Sequence, residues 1–134
     1  MTWPSRGILD TSVFIANESG RALEAEHLPD ESAISVVTLA ELQVGVLAAL
    51  DTDTRAARLA TVALAMDMEV LPVEERVALA WAHLRVRLAD AGRRVNVNDL
   101  WIAATAVAQE LPVVTQDTDF DALEDMLGLS IVRV

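Results

Sequence analysis

The feature that most constrains the fold is a rhythm. Short apolar runs rich in Val, Ile and Leu alternate with longer stretches of helical periodicity along the whole chain. Gly7-Ile-Leu-Asp10, Ala33–Val37, Glu69–Leu71, Pro112–Thr115 and Ile131–Val134 read as strands. The intervening segments read as helices. One runs from a cap at Thr11 or Ser12 through Asn17, and one spans Arg21–Leu28, stopped by Pro29. Thr38 caps a helix to about Leu50, and Asp53–Met66 is Ala-rich. Glu74–Ala91 ends at Gly92, Arg93–Val97 is a loop, and Asn98 caps a helix to about Glu110. Asp121–Leu127 forms a further short helix. Strands separated by helices imply a parallel sheet with helices on both faces, here within one domain spanning residues 1–134.

In such sheets ligands bind outside the carboxyl ends of the strands. Asp10 immediately follows the first strand, and Glu41 lies in the first turn of the helix after the second. Asp99 begins a helix after Val95-Asn-Val-Asn98, and Asp117, with Asp119 two residues on, follows the Val113-Val-Thr115 strand. These ends share one edge, so the acids can meet in one cleft. Clustered carboxylates cannot all stay ionised without a cation, and oxygen ligands suit Mg²⁺ or Mn²⁺. That is the equipment of metal-assisted phosphodiester hydrolysis. Each acid also has a plainer reading. Asp10-Thr-Ser is a helix cap, Thr38-Leu-Ala-Glu41 fits a capping box, Asp99 suits a helix N-terminus, and Asp117-Thr-Asp119 is an acidic turn.

Absences narrow the chemistry. There is no Cys, so disulfides, thiolate metal sites and cysteine nucleophiles are excluded. All 10 basic residues are Arg. Without Lys, Schiff-base chemistry, the P-loop and the Lys-dependent phospho-aspartate enzymes (response-regulator receivers and haloacid-dehalogenase-type phosphatases) are excluded. The net charge of −11 argues against a nucleic-acid binder. A bound cation would offset part of it, and Arg85, Arg87, Arg93 and Arg94 cluster in one short stretch. An acidic surface also suits a basic protein partner. No apolar run reaches the roughly 18 residues of a membrane span, and the start lacks a signal-peptide pattern.

The four acidic segments together resemble a known family. Ile8-Leu-Asp10-Thr-Ser-Val-Phe-Ile15 resembles the opening strand of PIN domains, and Ser35-Val-Val-Thr-Leu-Ala-Glu41-Leu-Gln-Val-Gly45 their second acidic motif. Asn98-Asp99-Leu-Trp-Ile-Ala-Ala-Thr105 resembles the third and Val113-Val-Thr115-Gln-Asp117-Thr-Asp119-Phe120 the fourth. Order and spacing match across nearly the whole chain, and the short length resembles the VapC toxins. The resemblance implies a PIN-like three-layer α/β/α fold with a central parallel sheet of four to five strands. It implies Asp10, Glu41 and Asp99 as the acidic core, Asp117 as the fourth metal ligand, and Asp119 as assistant or replacement. Thr115, Thr11 and Ser12 would support the site through hydrogen bonds, whereas Asp121 and Glu124 are surface.

It further implies a Mg²⁺- or Mn²⁺-dependent endoribonuclease toxin that cuts tRNA or ribosomal RNA, leaving a 5′-phosphate and a 3′-hydroxyl. A cognate VapB-type antitoxin would block the cleft, an antitoxin Arg pairing with the carboxylates. A homodimer in the bacterial cytoplasm is implied, with release from the cell left open. The alternatives are a non-toxin RNA-processing nuclease or a catalytically silent PIN binding module. Arg93 and Arg94 are the candidate phosphate contacts, weighed against a solvated loop. His83 and His27 receive no catalytic role, Trp81 and Trp101 read as core or dimer packing in preference to base stacking, and Trp3 is left open between the two.

Overall fold

The computed structural model describes residues 5–134; Trp3 lies outside them. Five strands form one parallel sheet in the order β3-β2-β1-β4-β5: β1 (Arg6–Leu9), β2 (Glu31–Ser35), β3 (Glu69–Leu71), β4 (Val113–Thr115) and β5 (Ile131–Arg133). Five α-helices connect them: α1 (Thr11–Glu18), α2 (Val36–Leu47), α3 (Thr52–Met66), α4 (Glu75–Asp90) and α5 (Val97–Gln109).

Successive strand residues point to opposite faces, and the chain uses this period to build two cores. Ile8, Ala33, Leu71 and Val113 face α4 and α5, meeting Val77, Ala80, Leu84, Leu88 and Ile102. Leu9, Ile34, Val114 and Val132 face α1, α2 and α3, meeting Val13, Phe14, Leu42, Val46, Val62 and Ala65. The result is the expected three layers. Each fully buried Leu, Ile or Val contributes about 1.5–3 kcal/mol, so both faces hold the sheet firmly behind its loops. Gly7 is needed at its place in β1. A Cβ there would lie 2.8 Å from Val114 Cγ2 and 3.4 Å from Pro29 Cγ.

Several boundaries differ from the sequence reading. Residues Val36 and Val37 are not strand but the first turn of α2, because Ser35 leaves the sheet and caps the helix, accepting the Val37 N–H at 3.1 Å. Thr38 is therefore inside the helix and not its cap. The cap of α5 is Asn96, which accepts the Asn98 N–H at 2.9 Å, and not Asn98. α3 starts one residue before Asp53, capped by Asp51. The expected helix over 21–28 is a single 3-10 turn at Ala25–His27. Leu28 is already extended, as a residue before proline prefers. The expected helix over 121–127 is two 3-10 turns interrupted by Asp125 and Leu127 at positive φ.

Candidate active site

The sheet order reverses at β1, which has β2 on one side and β4 on the other. A crevice opens at such a switch point beyond the carboxyl ends of the strands. Here it is a cleft of about 370 Å³ bordered by Asp10, Glu41, Asp99, Asp117 and Asp119. The five acids singled out in the sequence are thus brought together from α1, α2, α5 and the β4 loop.

Asp10 is the residue after β1 and the N-cap of α1, accepting the Ser12 N–H at 3.4 Å. It is only 2% exposed. Thr115, buried at the end of β4, donates its hydroxyl to Asp10 Oδ2 at 3.0 Å and accepts the Asp117 N–H at 3.0 Å. The Ser12 hydroxyl lies 3.2 Å from that of Thr115 and accepts the Gln116 N–H at 3.0 Å. These two hydroxyls lock α1 to β4 and fix Asp10 between them.

Glu41 is the sixth residue of α2, one turn later than the sequence reading placed it. Its Oε1 accepts the Thr11 hydroxyl at 2.8 Å, and Thr11 lies 3.1 Å from the buried Thr38 hydroxyl. Asn98 Nδ2 approaches Oε2 at 3.5 Å. The capping-box alternative therefore fails: the carboxylate of Glu41 is turned to the cleft and oriented by a threonine pair. Asp99 occupies the first turn of α5, where the helix dipole favours a negative charge.

That dipole is not enough to keep Asp99 an ordinary acid. Burial, then the charges of Asp10, Asp119, Glu41 and Asp117, push its carboxyl up to about 7. Burial also raises Asp10, against hydrogen bonds from Ser12 and Thr115 that favour its charged form. Asp117 is raised by burial and by Asp10 and Asp119, with Arg21 opposing. The cleft is a store of uncompensated negative charge.

The donor set fits a hard divalent cation: carboxylate and hydroxyl oxygens without sulfur or imidazole. The carboxylates stand apart. Among the described residues the one trio with ligand atoms within 4.8 Å of one another is Glu24, Glu26 and His27, on the surface 3-10 turn. His27 there pairs with Glu24 at 2.8 Å. The wider cleft leaves room for the waters that Mg²⁺ gives up reluctantly.

Sequence reading did not single out Arg21, Asn96 or Ile15, which also border the cleft. Arg21 arrives there after α1 ends at Glu18 and Gly20, with a φ of +76°, reverses the chain. Nothing in the local sequence signals that placement. Arg93 and Arg94 do not border the cleft but a neighbouring pocket, and Arg93 donates to the Ala122 carbonyl at 3.2 Å. Trp81 and Trp101 stack on each other at 5.0 Å between ring centroids, consistent with core packing. His83 is exposed on α4, beside a depression of about 800 Å³. Asp90 is the one carboxylate bordering that depression, so it lacks the chemistry of the cleft.

The chain matches the PIN domain family over residues 7–126. It is 59% identical to Ribonuclease VapC5 of Mycobacterium tuberculosis over 133 residues, covering 99% of this chain and 98% of the relative. It is 44% identical to Ribonuclease VapC4 of the same organism, covering 94% and 97%. Among solved structures it resembles a crystal structure of the toxin–antitoxin family member VapBC-5 from M. tuberculosis. There the TM-score is 0.92 and the identity 56%, covering 98% of this chain and 100% of the other. By sequence and by fold, the chain belongs to the PIN-domain family and, within it, to the VapC ribonucleases.

Proposed function

We propose that this protein is the toxin of a bacterial toxin–antitoxin pair: a Mg²⁺-dependent endoribonuclease, with Mn²⁺ as substitute, that cuts tRNA or ribosomal RNA and stops translation. The observation that carries the reading is the cleft itself, with Asp99 pushed to about 7 by burial and by four neighbouring acids. Asp10, Glu41, Asp99 and Asp117 would hold the cation, with the more exposed Asp119 assisting Asp117. A bound divalent ion supplies Lewis-acid charge to the phosphate and acidifies a water.

The chain's own residues do the positioning. Thr115 and Ser12 keep Asp10 in its rotamer, and Thr11 keeps Glu41 in its own. Water attacks the phosphorus, the bond to the 3′-oxygen breaks, and a 5′-phosphate and a 3′-hydroxyl remain. Arg93 and Arg94, on the loop before α5, contact flanking phosphates.

The partner is a VapB-type antitoxin; the similar structure from M. tuberculosis is that of a member of the VapBC family of toxin–antitoxin systems. An antitoxin Arg fits a cleft whose carboxylates outnumber its one bordering Arg. Homodimerisation and a cytoplasmic location complete the proposal. No helix of the described residues is long and apolar enough to cross a membrane.

Incubation of total tRNA and ribosomal RNA with Mg²⁺ or Mn²⁺ tests the reading. Discrete cleavage by wild type, its loss in EDTA and its return with Mn²⁺ are expected. Cleavage that persists in EDTA would contradict the metal mechanism. Asp117→Asn is expected to cost more activity than Asp119→Asn, because Asp117 is the more buried of the two. The reverse order would make Asp119 the fourth ligand.

A further inference from the structure

We propose that the pocket beside the acidic cleft is a nucleotide subsite, taking a phosphate of the RNA on Arg85 and Arg94 and its base against Trp81. The inference rests on the ribonuclease reading of the cleft and adds a second place where substrate is held. The loop between α4 and α5 separates the two. Asn96 borders the acidic cleft, while its neighbours Val95 and Val97 line a pocket of about 570 Å³. Trp81, Arg85, Arg93 and Arg94 form its walls, with Val97 and Leu100 as apolar lining.

The charge arrangement is the telling feature. The chain has 21 acids and 10 Arg, so carboxylates to pair with are abundant. Arg6, Arg76 and Arg133 each take one or two. The side chains of Arg85 and Arg94 make no hydrogen bond or ion pair among the described residues, and that of Arg93 donates to a backbone carbonyl at 3.2 Å. Three Arg thus line one pocket, with no carboxylate in its lining, in a protein of net charge −11. Guanidiniums present a planar fork that matches phosphate oxygens. A lone phosphate would leave most of the volume empty, since pockets of roughly 300–1,000 Å³ suit whole small ligands. Trp81, stacked on Trp101 yet only partly buried, still lines the pocket, and with the apolar residues there it suits a base, because every base offers a π-face to an aromatic ring.

Binding, not cleavage, tests this. Fluorescein-labelled total tRNA is titrated in EDTA, so that no RNA is cut, into wild type, Arg85→Ala/Arg94→Ala, Arg85→Lys/Arg94→Lys and Arg6→Ala. The alanine pair should bind about 10- to 100-fold more weakly, the loss expected for charged hydrogen bonds. Its slope of log affinity against log salt should fall by about one to two. The lysine pair should keep the slope. Arg6→Ala removes the same charge at the opposite edge of the sheet and should change neither quantity. Wild-type affinity and slope in the alanine pair would overturn the inference. Equal weakening by Arg6→Ala would overturn it too, by reducing the effect to net charge. If wild type cleaves RNA with Mg²⁺ while the alanine pair binds normally, this inference alone falls. If wild type neither binds nor cleaves, the ribonuclease reading falls with it. Inorganic phosphate competing as well as adenosine monophosphate would remove the base contact from the proposal.

Discussion

The two edges of the sheet treat their carboxylates in opposite ways. At the amino edge, Arg6 opens β1, Glu31 opens the neighbouring β2, and Glu69 opens β3 on the far side of β2. The Arg6 guanidinium reaches Glu69 at 2.8 Å and Glu31 at 3.5 Å. All three side chains are substantially exposed, so water and a built-in counter-charge both neutralise them. At the carboxyl edge five acids border one cleft with a single Arg, where Asp10 is buried and Asp99 half-buried. A fold able to place an ion pair at one edge has left the other uncompensated. Neutralisation there is left to a cation, to the Arg of a partner, or to a proton.

The largest expected break in that contrast is Asp99→Asn. It removes one charge from the cluster and almost no volume. Cleavage should fall about 10³-fold or more, roughly 4 kcal/mol of barrier. Stability should stay level or rise, because a buried like charge is gone. RNA cleavage and thermal melting of the same preparation check both halves. A variant that cuts at the wild-type rate would remove Asp99 from the site.

Next in size is the cation. At a hundredfold excess over its dissociation constant, Mg²⁺ should add about 2.7 kcal/mol, or roughly 5–10 °C in Tm. The sign of the pH dependence follows from Asp99, whose folded value of about 7 lies above its ordinary 3.8. A raised carboxyl binds more protons in the folded state than in the unfolded one. Its contribution therefore lowers stability as pH climbs from about 4 to about 7 and is constant on either side. Melting in EDTA across that window should show the decline, and Mg²⁺ or Asp99→Asn should flatten it. A wild-type profile identical to that of Asp99→Asn would refute the charge account.

Smaller again is Thr115→Val. It strands Asp10 Oδ2 and the Asp117 N–H without their shared partner, at a cost of about 1–3 kcal/mol. Cleavage should drop about 10- to 100-fold through displaced acids, and Thr115→Ser should recover most of it. The smallest effect belongs to the amino edge. Arg6→Ala should change stability by less than about 1 kcal/mol, the usual worth of an exposed pair, and leave cleavage unchanged. A large loss of activity there would erase the distinction between the edges.

The legible part of this structure is what local pattern controls. Alternation of apolar runs with helical stretches foretold the parallel sheet, and the acids at strand ends could be recognised because a parallel sheet aligns those ends. Boundaries were less legible where two local rules compete. Val36 and Val37 have strand-like side chains, yet capping by Ser35 outweighs β propensity and winds them into α2. At α5 two asparagines suit the cap, and Asn96 takes it in place of Asn98. Arg21 and Asn96 were not legible as neighbours of the cleft, nor Thr38 as the partner of Thr11, because loops and crossovers bring them there from distant positions. Arg93 and Arg94 were legible as a basic pair, but which side of their loop they face is decided only by how α4 and α5 pack.

The most direct test of the central claim, that the carboxyl edge is built to be neutralised by a divalent ion, is calorimetric titration of Mn²⁺ into EDTA-stripped protein near pH 6. Wild type should bind and release up to about one proton, seen as a dependence of the heat on buffer ionisation enthalpy, and Asp99→Asn should lose both the binding and the proton. Mn²⁺ binding of equal strength and equal proton release in the two proteins, or no binding by wild type, would contradict the account.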